Sequence, residues 1–188
     1  MKSKLESFFA ALLIAASAFA QQADDETVRV FVFAGQSNME GADSKVADLG
    51  RFPPFSGLDQ PQPSVRFWHC IGREDKATSN GWTALQPVRG MVGPELSFAR
   101  KVTANITAPI AIIKIAAGGT TLGGDWNPVD PQGFKLYPLA LDHVQRALQA
   151  LDEQRVRWRL EGFMWHQGEN DMFNDDYRGS YGGNLRAY

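Results

Sequence analysis

Three short segments hold residue types suited to work together on an acyl group. Gly35-Gln36-Ser37-Asn38-Met39 offers a hydroxyl, and Gly118-Gly119-Thr120 offers main-chain amides with little side chain over them. Gln167-Gly168-Glu169-Asn170-Asp171 offers side-chain amides and carboxylates. A serine hydroxyl is a weak nucleophile at its ordinary pKa. It must stand exposed beside donors aimed at the charge that develops on the carbonyl oxygen. A tight strand-to-helix turn meets both needs, because the amides that open the helix point the same way as the serine. Gly35 gives the backbone freedom for such a turn. Alone, a Gly-x-Ser tripeptide is more often an ordinary turn.

The elements that must position these segments are legible around them. Val28 to Ala34, Ile110 to Ala116 and Leu160 to His166 are short apolar runs, each ending in a glycine-containing turn, and read as buried strands. Pro94 to Ala104 reads as a helix, with Pro94 at its first position and Glu95 in its first turn, where the helix dipole favours a carboxylate. Tyr137 to Gln154 repeats Leu141, Val144, Leu148 and Leu151 at three- and four-residue spacing, which predicts one apolar helical stripe. Strands alternating with helices predict an α/β fold, a three-layer α/β/α sandwich around a parallel sheet. In such sheets ligands sit at the carboxyl ends of the strands, so the three chemical turns are expected to share one crevice. Residues 42–92 differ: five prolines there, Pro53, Pro54, Pro61, Pro63 and Pro87, predict a long loop-rich excursion with one strand at Val65 to Trp68.

The 188 residues suffice for one domain and hardly for two. The first twenty read as a leader outside that domain. Lys2 and Lys4 precede an apolar run from Phe8 to Phe19, and Ala18-Phe19-Ala20 supplies small residues for cleavage. The expected product is a secreted or periplasmic domain over 21–188, beginning at Gln21 and carrying no membrane anchor. The net charge of −2 and the scattered Lys and Arg recommend no nucleic-acid partner. Cys70 is the single cysteine, so no intramolecular disulfide forms, and it reads as a small buried hydrophobe. No His, Cys or carboxylate spacing recommends a metal, and no cofactor is expected. Gly118 to Gly124 lacks both the Gly-Lys-Ser/Thr ending and the G-x-G-x-x-G spacing of nucleotide sites. Oligomeric state is not legible. The G-x-S-x-G elbow of α/β-hydrolases is not satisfied, because Met39 holds the second glycine position.

Four motifs occur in order: Gly35-Gln36-Ser37-Asn38-Met39, Gly93-Pro94-Glu95, Gly118-Gly119-Thr120 and Trp165-x-Gln167-Gly168-Glu169-x-Asp171. From about Val28 onward the chain resembles the sialate O-acetylesterase and acetylxylan esterase branch of the SGNH hydrolases, carbohydrate esterase family 6. The resemblance implies an SGNH, flavodoxin-like fold and a secreted serine esterase acting on acetylated carbohydrate: sialic acid, xylan or related glycans. It implies that Ser37 attacks the acetyl carbonyl. The oxyanion donors would be the Ser37 amide, a glycine amide from Gly118 or Gly119 with Gly118 preferred, and a side-chain amide from Gln167, with Asn170 the rival. Gln36, Asn38, Glu169 and Trp165 would bind substrate or orient the loops. Trp82, Trp126 and Trp165 lie near these loops and either stack on sugar faces or simply pack.

The resemblance also calls for a base from a C-terminal Asp-x-x-His block. His69, His143 and His166 are the three histidines and none fits that block. Tyr177, Tyr181, Leu185 and Tyr188 begin a further amphipathic helix. The expectation is therefore a chain that stops before its last strand and helix and is a poor esterase by itself, with His166 the substitute base if one exists. The rival readings are a non-catalytic carbohydrate-binding relative and a lipase or thioesterase of the wider superfamily.

Overall fold

The computed structural model describes residues 26–188, so the leader expected at residues 1–20 lies outside them. In chain order the elements are β1 (Val28–Gly35), α1 (Ser37–Glu40), β2 (Gln62–Ile71), β3 (Ala77–Thr78) and β4 (Thr83–Leu85). They continue with α2 (Pro94–Thr103), β5 (Ile110–Ala116), α3 (Leu136–Glu153), β6 (Trp158–His166) and α4 (Asp175–Ala187). Short 3₁₀ turns occupy Val46–Arg51, Pro53–Phe55 and Asp171–Phe173. Among the described residues no helix is long and apolar enough to cross a membrane.

β2, β5, β1 and β6 lie side by side in that order and all run parallel, while β3 and β4 pair antiparallel with β2. The α/β reading holds. Side chains alternate along a strand, so β1, β2 and β5 each feed two cores. Val28, Val30, Val32 and Ala34 of β1 join Ala111, Ile113 and Ile115 beneath α3, together with the fully buried Trp126. Phe33, Ile110, Ile112 and Ala116 face the other way, with Leu96 and Ala99 of α2. Helices therefore cover both faces, and each fully buried Ile or Val contributes roughly 1.5–3 kcal/mol.

Three expectations need correction. β6 is not a buried strand: it lies at the edge of the sheet, none of its residues is buried, and Leu160 and Phe163 are 54% and 47% exposed. β2 is a full member of the parallel sheet, paired with β5 from Val65↔Ile110 to Ile71↔Ala116, and is not a short strand within a loop. Its polar entry at Gln62–Ser64 and the interior Arg66 and His69 interrupt the continuous apolar run that marks a parallel strand. The buried stripe of α3 is Leu136, Ala140, His143, Ala147 and Leu151. Leu141 is 46% exposed, and Val144 and Leu148 only flank the core. The small Ala140 and Ala147 let the helix lie close to the sheet, which turns the larger side chains to its sides.

Register decides where the chemistry sits. Gly35 of β1 is level with Ala116 of β5 and His166 of β6. The three strands thus end together, and β1 lies between the other two. α2 and α3 cover opposite faces, so the chain reverses its winding at β1, the position where open sheets form a crevice.

Candidate active site

The serine turn is built against β6. A Cβ on Gly35 would collide with the carbonyl oxygen of His166, so only glycine allows this approach. The Gln36 amide donates to that same oxygen at 3.0 Å. Ser37 then opens the single turn of α1, which Met39 anchors in the core and Gly41 closes in the left-handed region, φ 84°. Ser37 is half-buried, and neither its hydroxyl nor its amide has a hydrogen-bond partner among the described residues.

The glycine turn folds onto the serine. The Ala117 amide donates to Gly35 O at 3.1 Å. A Cβ placed on Gly118 would lie 3.5 Å from the Ser37 Cβ. The Gly118 amide donates to Glu40 Oε1 at 3.0 Å and is thereby occupied. Gly119 has φ 75° and is exposed, and its amide has no acceptor among the described residues. Beneath it, the Thr120 hydroxyl donates to Ala117 O at 2.6 Å and accepts from Trp126 Nε1 at 2.9 Å.

The third turn is held by a buried network. Gln167 Nε2 lies 3.2 Å from Gln36 Oε1, 3.0 Å from Thr120 O and 2.5 Å from Asp171 Oδ2, all acceptors. Both amide hydrogens of Gln167 are therefore directed into the protein. The buried Asp171 carboxylate also accepts from the amides of Leu122 at 3.0 Å and Gly123 at 2.8 Å, which ties this turn to the glycine-rich loop. Tyr181 donates to Gln167 O at 2.6 Å and accepts from Trp165 Nε1 at 3.1 Å, so Trp165 orients the loop. Burial pushes the Tyr181 hydroxyl above its usual pKa, which keeps it a donor. Asn38 Nδ2 donates to Glu169 Oε1, joining the first motif to the third. The Asn170 amide is half-buried and has no partner among the described residues.

The tryptophans pack. Trp126 is fully buried edge-on to Trp165, and Trp82 sits against Trp68 while donating to Ala147 O. The histidines divide by position. His143 is buried, and its Nδ1 accepts from Trp68 Nε1 at 3.1 Å. Burial lowers its pKa, with the nearby Arg146 charge adding to the effect. His69 is stacked on Phe67; burial first, then the Lys114 and His143 charges, push it down to about 4. His166 is exposed at the end of β6. With Asn38 it lines a cavity of about 530 Å³ whose other wall is Leu49, Phe52, Phe55, Leu58 and Val92. Lys45, Asp48 and Arg51 also line it. Among the described residues no histidine hydrogen-bonds Ser37, and no cluster of three His, Cys or carboxylate residues is arranged to hold a metal.

Sequence reasoning passed over Glu40 and Lys114, and named Asp171 without its role as the carboxylate that ties two turns together. Lys114 Nζ meets Glu95 Oε2 at 2.6 Å, with both side chains almost fully buried, and donates to Glu40 O at 3.2 Å. A lone charge in the run Ile110 to Ala116 was the available signal, since a buried ammonium demands a partner.

Ser37 thus stands on a tight turn at the carboxyl edge of the parallel sheet, faced by the glycine loop. The chain belongs to the carbohydrate esterase family of sialic acid-specific acetylesterases, whose model matches residues 27–188. The fold is similar to the X-ray structure of a protein from Arabidopsis thaliana, with TM-score 0.60 and 22% identity over 85% of this chain. It is also similar to a carbohydrate acetylesterase from Xanthomonas citri, with TM-score 0.49 and 18% identity over 85% of this chain. The match spans 65% of the Arabidopsis chain and 36% of the Xanthomonas chain. No curated protein matches the sequence significantly.

Proposed function

We propose that this chain carries the acyl-transfer site of a serine carbohydrate acetylesterase. The Ser37 hydroxyl attacks the acetyl carbonyl of an O-acetylated sugar such as acetylated sialic acid or xylan. The acyl C–O bond breaks, the departing sugar oxygen takes the serine's proton and leaves as a hydroxyl, and water then hydrolyses the acetyl-serine to acetate and the free serine hydroxyl. The observation that carries the reading is the contact of the serine turn with the glycine loop: the Gly118 Cβ position lies 3.5 Å from the Ser37 Cβ, beside the unoccupied amides of Ser37 and Gly119. Those two amides and the Asn170 side chain are the donors we assign to the oxyanion. Gly118 is occupied by Glu40, and Gln167 is committed to three internal acceptors. One such donor is worth roughly 3–4 kcal/mol of barrier. The cavity beyond Asn38 and His166 would take the sugar.

The second reading, a non-catalytic carbohydrate-binding relative, is favoured by one observation: no histidine reaches Ser37 among the described residues. Acetate release from acetylated sugars, with and without added imidazole, separates the two. Slow release that disappears in Ser37→Ala and rises with imidazole is the expected result. Sugar binding with no Ser37-dependent release, even with imidazole, would favour the binding protein. Loss of the imidazole-free rate in His166→Ala would identify His166 as the base.

A further inference from the structure

The geometry points to Glu40 as a positioning residue for the oxyanion loop, anchored from below by the buried Lys114–Glu95 pair. The inference rests on the reading of Ser37 as nucleophile. Glu40 closes the same helical turn that Ser37 opens, so its backbone and side chain move with the nucleophile. Its carboxylate accepts the Gly118 amide at 3.0 Å, with Oε2 3.1 Å from the Gly118 Cβ position. Its carbonyl accepts from Lys114 Nζ at 3.2 Å. Lys114 lies two residues before the end of β5, the strand that leads into Gly118-Gly119. Both ends of Glu40 are thus fastened to the strand and loop that carry the glycines.

This arrangement has a chemical consequence. With Gly118 held by a carboxylate, the next amide, Gly119, is the one left open beside Ser37. A carboxylate acceptor makes a stronger bond than a neutral oxygen. It fixes the glycine pair, which has no side chains to pack, while the left-handed φ of Gly119 turns the chain at that point. The bond spans 78 residues of sequence and links the end of the serine turn directly to the Gly118-Gly119-Thr120 motif. Glu95, in the Gly93-Pro94-Glu95 motif, neutralises the ammonium that grips the other end, and Asn38 of the same turn donates to Glu169 of the fourth motif.

The test uses the whole chain with Glu40→Ala and Glu40→Gln, since the glutamine oxygen can still accept from Gly118. Two readouts are taken: kcat and KM on an acetyl ester, and exchange of the Gly118 amide by NMR. Glu40→Ala should lower kcat about 10- to 100-fold with KM nearly unchanged, the penalty expected of misplaced catalytic groups. Its Gly118 amide should exchange at least about tenfold faster, the loss of one charge-assisted bond. Glu40→Gln should recover most of both. Equal damage in the two variants, a change confined to KM, or Gly118 exchange unaltered in Glu40→Ala would overturn the inference. Absence of any Ser37-dependent turnover in the unaltered chain would overturn the esterase reading instead, and the exchange measurement would still decide whether Glu40 holds the loop.

Discussion

Glu95→Leu removes the carboxylate from the most deeply buried ion pair described in the protein and leaves the Lys114 ammonium with one neutral contact, the carbonyl of Glu40 at 3.2 Å. The side chains of Lys114 and Glu95 are 1% and 2% exposed, so water cannot replace the lost partner. Removing one member of such a pair costs about 3–5 kcal/mol, because the survivor stays charged and desolvated. For a domain of this size about 1 kcal/mol moves Tm by roughly 2–4 °C, so Tm should fall by about 6–20 °C. Glu95→Leu combined with Lys114→Met replaces the pair by apolar groups of similar volume. That double variant should regain most of the loss, since a buried pair gives little net stability over an apolar replacement. Thermal and urea unfolding followed by circular dichroism on all four forms measure the cycle. A loss under about 1 kcal/mol in Glu95→Leu, or a double variant no more stable than the worse single one, would refute the reasoning that this charge is held only by its partner.

Two further outcomes follow from the network. Asn170→Ala should lower kcat about 10²–10³-fold on acetyl esters with Tm nearly unchanged, whereas Gln167→Ala should lower Tm by removing the link between Gln36, Thr120 and Asp171; the reverse pattern would return the oxyanion role to Gln167. His69 has its folded pKa depressed from 6.5 to about 4, so the unfolded chain binds the proton first as pH falls. The stability from this group is complete above pH 6.5 and is lost between there and about pH 4, and His69→Phe should flatten the unfolding curve in that window.

The strands β1, β5 and β6, though not the burial of β6, together with the helices α2 and α3 and the three polar turns were legible because their cause is local. Periodicity and turn residues act over a few positions, and the observed bounds of these elements differ from the expected ones by at most two residues. A common carboxyl edge for Ser37, Gly118 and Gln167 follows from parallel strands alone. Tertiary structure decided which groups stay free. Whether an amide is open to substrate depends on partners 47 to 132 residues away, as with Gln167 and Thr120, or Gly168 and Gln36. No local spacing carries that information. The same holds for β2, whose place in the sheet comes from its register with β5, and for Lys114, whose charge is tolerable only because α2 brings Glu95 against it. Side-chain type marked the three polar turns, and the pairing of strands determined which of their atoms remain free of internal partners.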